Sequence, residues 1–93
     1  MEMRSMKEMD CVEVIVEKEK YASCGVHKGM QGWICYDRCY DGYWLVNFPQ
    51  YGAKPDIGTE SIHQDDMIVI PCMDARVNER IKAEHEKKAR PAE

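Results

Sequence analysis

Gly29-Met-Gln-Gly-Trp-Ile-Cys-Tyr-Asp-Arg-Cys-Tyr-Asp-Gly-Tyr-Trp-Leu-Val-Asn-Phe48 is the stretch whose reading decides the fold. Two runs rich in β-branched and aromatic residues, 30–37 and 43–48, flank a polar segment, 38–42, that ends in Asp41-Gly42. Asp-Gly between two such runs signals a β-hairpin, because both residues tolerate the positive φ of a tight turn. Trp44, Val46 and Phe48 alternate with Tyr43, Leu45 and Asn47, the two-residue period of a strand. A hairpin alone cannot shield these side chains from water, so neighbouring strands must supply a partner surface.

The flanking sequence supplies it. Residues 11–18 form a first strand with Val12, Val14 and Val16 on one face and Glu13, Ile15 and Glu17 on the other. One apolar and one polar face implies an antiparallel sheet. Residues 19–29 read as a long loop in which Gly25 and Gly29 mark positive φ or close backbone approach. Gly32 lies inside the second strand, as expected where a strand bends sharply to close a small barrel. Residues 49–56, with Pro49, Gly52 and Pro55, form a second irregular loop. A weaker fourth strand follows at 57–63, then the polar turn Gln64-Asp65-Asp66 and a short fifth strand, 67–70, stopped by Pro71.

After Pro71 the composition changes. Asp74 is placed as an N-cap, and from there to Arg90 there is neither Gly nor Pro. Ala, Glu, Lys and Arg dominate, which predicts a C-terminal α-helix with an apolar stripe of Met73, Val77 and Ile81. The expected organisation is a flexible lead at 1–10, a β-domain at 11–71, and a helix and tail at 72–93. The expected core is Val12, Val14, Val16, Met30, Ile34, Trp44, Val46, Phe48, Ile57, Met67 and Val69.

A chain of 93 residues has room for one hydrophobic core. No apolar run reaches membrane-spanning length, and the Met-rich charged beginning lacks the apolar centre of a secretory signal. A cytoplasmic protein is expected. The net charge is −4, which repels phosphate backbones at long range and disfavours broad nucleic-acid binding. Five cysteines, an odd number without Cys-x-x-Cys spacing, argue for reduced thiols rather than a disulfide framework.

Five short strands, a long first loop and Gly25-Val-His-Lys-Gly29-Met-Gln-Gly32-Trp-Ile34 leading into the second strand together resemble a small SH3-like β-barrel. More narrowly, Gly-x-x-Lys-Gly-x-x-Gly-x-Ile is similar to the signature of KOW-type barrels and of small bacterial SH3-like proteins. There such an element precedes an aromatic-rich strand similar to residues 43–48. The resemblance spans residues 11–71 and implies a five-stranded antiparallel barrel. It specifies function poorly, since such barrels bind RNA, peptides or sister domains. KOW-type nucleic-acid binders are usually basic on the loop face, and this chain is acidic.

The aromatic side chains carry the strongest site signal. Trp33, Tyr36, Tyr40, Tyr43 and Tyr51 cluster in the hairpin and the loop after it, with Tyr21 in the first loop. The resemblance places these loops beside the usual ligand groove, and Tyr and Trp give large rigid contact area with a polar tip. The six residues are expected to bind a protein partner, making the chain a non-enzymatic adaptor or inhibitor. The bland reading is that several of them cap the core. A KOW-like nucleic-acid or ribosome-associated role is the alternative.

A small zinc- or thiol-dependent protein is the third reading. Cys35-x-x-x-Cys39 meets zinc spacing loosely, with His27 or His63 as further donors, but no second cysteine pair follows. Buried or idle thiols are expected instead, with no metal and no cofactor. Asp65-Asp66 and Glu60 lack the regular oxygen spacing of a calcium loop. The absence of Gly-x-Ser-x-Gly and of a phosphate loop leaves catalysis without a sequence signature.

Overall fold

The computed structural model describes residues 6–50, 52 and 54–89. In chain order the elements are β1 (Cys11–Val14), α1 (Glu19–Ala22), β2 (Gln31–Ile34), β3 (Tyr43–Phe48), β4 (Gly58–His63), β5 (Met67–Ile70) and α2 (Ala75–Ala89). A 3₁₀ turn, Gln64–Asp66, joins β4 to β5. The strands make one antiparallel sheet in the order β4-β3-β2-β1-β5. Thus β1 to β4 run as a meander and β5 returns to pair with β1. The expected barrel is seen as a five-stranded antiparallel sheet with a C-terminal helix, and no ladder joins β4 to β5 among the described residues. No helix of the described residues is long and apolar enough to cross a membrane.

The central hairpin follows from its turn chemistry. Asp41 and Gly42 have φ of 53° and 82°, the mirror-image turn that matches the twist of the flanking strands. Tyr40 and Tyr43 close it by exchanging both backbone hydrogen bonds, at 3.0 and 2.8 Å. The turn is therefore two residues long, and residues 35–39 form an irregular arm before it. Gly32 explains how β2 approaches β3 so closely. A Cβ at this position would stand 2.3 Å from the Asn47 carbonyl oxygen, closer than any side chain tolerates.

Alternation decides the core. Val12 and Val14 of β1, Ile34 of β2, Val46 and Phe48 of β3, Ile62 of β4 and Met67 of β5 are fully buried, with Met30 and Val26 from the approach to β2. Trp44 joins them, while Val16 and Ile57 are only partly buried against the cluster. Val69 is a correction: it lies opposite Val12 but is 47% exposed. It sits on an edge strand whose single ladder neighbour is β1, so its other flank is open to water. Met6, Tyr21, Val26, Ile62 and Ile81 are core residues outside the expected set.

Both ends of the described residues are docked on the sheet. Met6 is buried, the Met9 N–H donates to the Ile34 carbonyl and the Ile34 N–H donates to that of Asp10. Residues 9 and 10 therefore continue the pairing of β1 with β2 past the end of the ladder, whereas residues 1–5 of the flexible lead expected at 1–10 lie outside the described residues. At the other end, the Asp74 carboxylate accepts the Arg76 N–H at 3.0 Å and caps α2. The stripe on α2 packs on its own sheet: Ile81 is buried, and Val77 packs against the core. Asn78, fully buried, holds the helix in place. Its Oδ1 accepts the Gln31 N–H at 2.7 Å, and its amide donates to the Gln31 and Pro49 carbonyls at 2.7 and 2.8 Å. All of its polar atoms are paired, which is the condition for burying an amide without penalty.

Candidate functional site

On β3, the face opposite the core carries Tyr43, Leu45 and Asn47, and its β4 partners are His63, Ser61 and Thr59. The arm before the turn brings Tyr36, Arg38 and Tyr40 alongside. Together Tyr36, Arg38, Tyr40, Tyr43, Leu45 and Ser61 line an open groove of about 200 Å³. Tyr40 is 64% exposed, Tyr36 43% and Leu45 37%, a concentration of apolar surface on one small face.

Tyr43 forms the floor. Its ring meets that of His63 edge-on, with centroids 4.9 Å apart. The Lys20 ammonium donates to the Tyr43 hydroxyl and lies 4.8 Å from its ring centroid, a cation–π contact. These contacts hold one tyrosine rigid while Tyr36 and Tyr40 stand free of the core.

The structure divides the six sequence-predicted aromatics. Tyr36, Tyr40 and Tyr43 share the groove. Trp33 lies on the same outer face of the sheet, opposite Asn47, but is half-buried and outside the groove lining. Tyr51 lies outside the described residues. Tyr21 is a correction: it is 3% exposed and belongs to the core. Its hydroxyl donates to Asp66 Oδ2 at 2.6 Å and accepts the His63 N–H at 3.0 Å. Sequence reasoning passed over Arg38, Leu45 and Ser61 as groove residues, although Leu45 alternates with the buried Trp44 and Val46.

The Tyr21 contact is the end of a buried polar chain. Asp66, itself buried, also accepts from the Lys18 ammonium at 3.0 Å. Burial and the Asp66 hydrogen bond push the Tyr21 hydroxyl up to about 12, against a smaller opposing effect of the His63 N–H. For Asp66 burial also acts upward. The hydrogen bonds from Tyr21 and Lys18, with the charges of Lys18 and His63, outweigh it and hold the carboxyl below its usual range. Asp66 is thus a structural anchor that ties Lys18 and Tyr21 together.

The cysteines stay apart from any converging donor set. All five are free; Cys24, Cys39 and Cys72 are exposed. Burial, with the Glu8 charge adding to it, pushes the Cys35 thiol up against the opposing pull of a backbone hydrogen bond. A raised thiol is a poor nucleophile and a poor ligand. Among the described residues the three-donor cluster able to hold a metal ion is Glu17, His27 and His85, whose ligand atoms lie within 4.8 Å of one another. Neither Glu17 nor His85 stood out in the sequence, because nothing local marks residues that meet only through the fold. Comparison with protein-family models, curated proteins and solved structures found no match, so the functional reading rests on these geometries.

Proposed function

We propose that this chain is a non-enzymatic protein-interaction module, an adaptor or inhibitor that holds a segment of a partner protein in the Tyr36–Tyr40–Tyr43 groove. The observation that carries this reading is the pair of exposed rings, Tyr36 and Tyr40, that line one groove with Leu45 and Tyr43. A groove of about 200 Å³ takes one or two side chains, the scale of a peptide anchor rather than a deep substrate pocket. Asp37 and Asp41 are exposed on the hairpin arm and turn, and the chain carries −4 overall. The segment recognised is accordingly one that inserts an apolar side chain between the rings and sets a Lys or Arg against Asp41, since Asp37 already lies 3.9 Å from Arg38.

The accompanying fold reading is the small SH3-like barrel. It is supported by a four-strand meander, a fifth strand returning to β1, and a 3₁₀ turn between the last two strands. A KOW-like nucleic-acid role draws on one observation, the cations Lys20 and Arg38 beside tyrosine rings on which bases stack. The acidic balance of the chain weighs against it.

Peptide display against the full chain separates the two. Enrichment of peptides pairing a basic with an apolar residue, lost with Tyr36→Ala and Tyr40→Ala variants that melt like the parent, supports the peptide groove. Binding of those peptides unchanged by both variants refutes it. Retention on single-stranded RNA, falling steeply with salt, favours the nucleic-acid reading instead.

A further inference from the structure

The second cluster lies away from the groove, where the segment after β1, the loop before β2 and the third turn of α2 converge. We propose that Glu17, His27 and His85 bind one divalent transition-metal ion of the zinc type. The argument begins with Glu17. One of its oxygens, Oε1, accepts the Lys28 N–H at 2.8 Å, and the other, Oε2, lies 2.7 Å from His27 Nδ1. The carboxylate is thus held in place before any ion arrives.

His85 completes the set. Its ring lies flat on that of His27, with centroids 3.5 Å apart and planes 6° from parallel. One dication set between them takes a lone pair from each imidazole and from the carboxylate together. Two imidazoles and a carboxylate form a donor set that suits zinc and its neighbours in the first transition row, and three protein ligands leave a further position for water. An open cavity of about 320 Å³, lined by Ala22, Gly25, His27, Lys82, His85 and Glu86, gives the ion a path from solvent. The nearest cation in that lining, Lys82, is held by Glu86 at 2.8 Å.

Lone pairs of parallel rings point in parallel planes, so ligation requires the stack to splay. His85 is the ring that moves, since it stands on a helix flank and rotates about its own side-chain bonds. Ligation through His27 Nδ1 replaces its hydrogen bond to Glu17 Oε2, with the ring proton carried on Nε2. It also ties α2 to the loop before β2, which predicts that the metal stabilises the helix on the sheet. The site is independent of the aromatic groove, and neither proposal needs the other.

The test uses the full chain, stripped with a chelator, its thiols kept reduced, and titrated with Zn²⁺ by calorimetry near neutral pH. One equivalent binds, the melting temperature rises, and Glu17→Gln, His27→Gln and His85→Gln each weaken binding by roughly tenfold or more. With Co²⁺ the visible spectrum shows nitrogen–oxygen ligation without sulfur charge transfer. Imidazole resonances of His27 and His85 shift on adding Zn²⁺ and those of His63 do not, a readout that stands even where a variant fails to fold. A sulfur-to-cobalt band, equal affinity in the His85→Gln variant, unmoved His27 and His85 resonances, or no binding at all overturns the proposal.

Discussion

Tyr21 and Tyr40 are the same amino acid in opposite circumstances. Tyr21 is 3% exposed with its hydroxyl bonded at both donor and acceptor sides, while Tyr40 is 64% exposed at the mouth of the groove. Each was expected in the groove, because each stood in a stretch read as loop or turn and carries an apolar ring with a polar tip, whereas Tyr21 in fact lies on α1. The difference teaches that a tyrosine outside the sheet is committed by what its hydroxyl finds. Tyr21 meets a buried carboxylate and a free backbone N–H, so burying the ring leaves no polar atom unpaired. On the other face of the hairpin, Tyr36 and Tyr40 project from an arm that leaves the sheet ladder, and no element of the described residues covers them.

The largest effect tests the buried side of that contrast. Tyr21→Ala removes a packed ring and a donor to Asp66, and is expected to cost about 3–5 kcal/mol in chemical denaturation. A loss near that of a surface substitution would mean that the ring is not part of the core. Tyr21→Phe keeps the packing and strips the hydroxyl from Asp66 and the His63 N–H, for an expected loss of about 1–3 kcal/mol.

Titration sharpens the comparison further. Folding raises the Tyr21 hydroxyl to about 12, so its contribution is complete below the ordinary tyrosine value near 10 and is lost as pH rises toward 12. Phenolate absorbance of the folded chain should show a last ionisation near pH 12 that is missing in Tyr21→Phe. For Asp66 the sign is reversed. Folding lowers its carboxyl, so the stability it adds is present above the ordinary aspartate range and disappears as pH falls through its folded value. Melting temperature measured downward from neutral pH should fall less in Asp66→Asn, which starts lower.

The smallest stability effects belong to the groove. Tyr36→Ala and Tyr40→Ala should change stability by no more than about 0.5 kcal/mol, since neither ring supports the core. Their signature is loss of peptide binding at unchanged melting temperature. A large destabilisation by either would place these rings with Tyr21 and erase the contrast.

Much of the fold was legible because its signals are local. Asp41-Gly42, the Trp44-Val46-Phe48 alternation and the Pro71 stop each act over a few residues, and the structure has a tight turn, a strand and a strand end where they stand. Gly32 was expected as a barrel-closing bend, and what the structure has there is close approach to the Asn47 carbonyl, which leaves no room for a larger residue. What escaped is equally physical. Val69 alternates like a core residue, yet exposure on an edge strand depends on what stands beside the sheet. Met6 and Asn78 gave no periodic signal, because a lone docked side chain and a lone bridging amide have none.

The sequence by itself determined that five strands precede one long helix, since the two-residue and 3.6-residue periods are written in neighbouring residues. It read 19–29 as a loop where α1 stands, and drew β1 and β2 longer than they are. Only the tertiary structure decided which side chains meet: Tyr21 with Asp66, Asn78 with Gln31, and Glu17 with His27 and His85. Those meetings depend on strand order and on where α2 lands. Both are settled by burying apolar faces from distant parts of the chain, and no short window of sequence contains them.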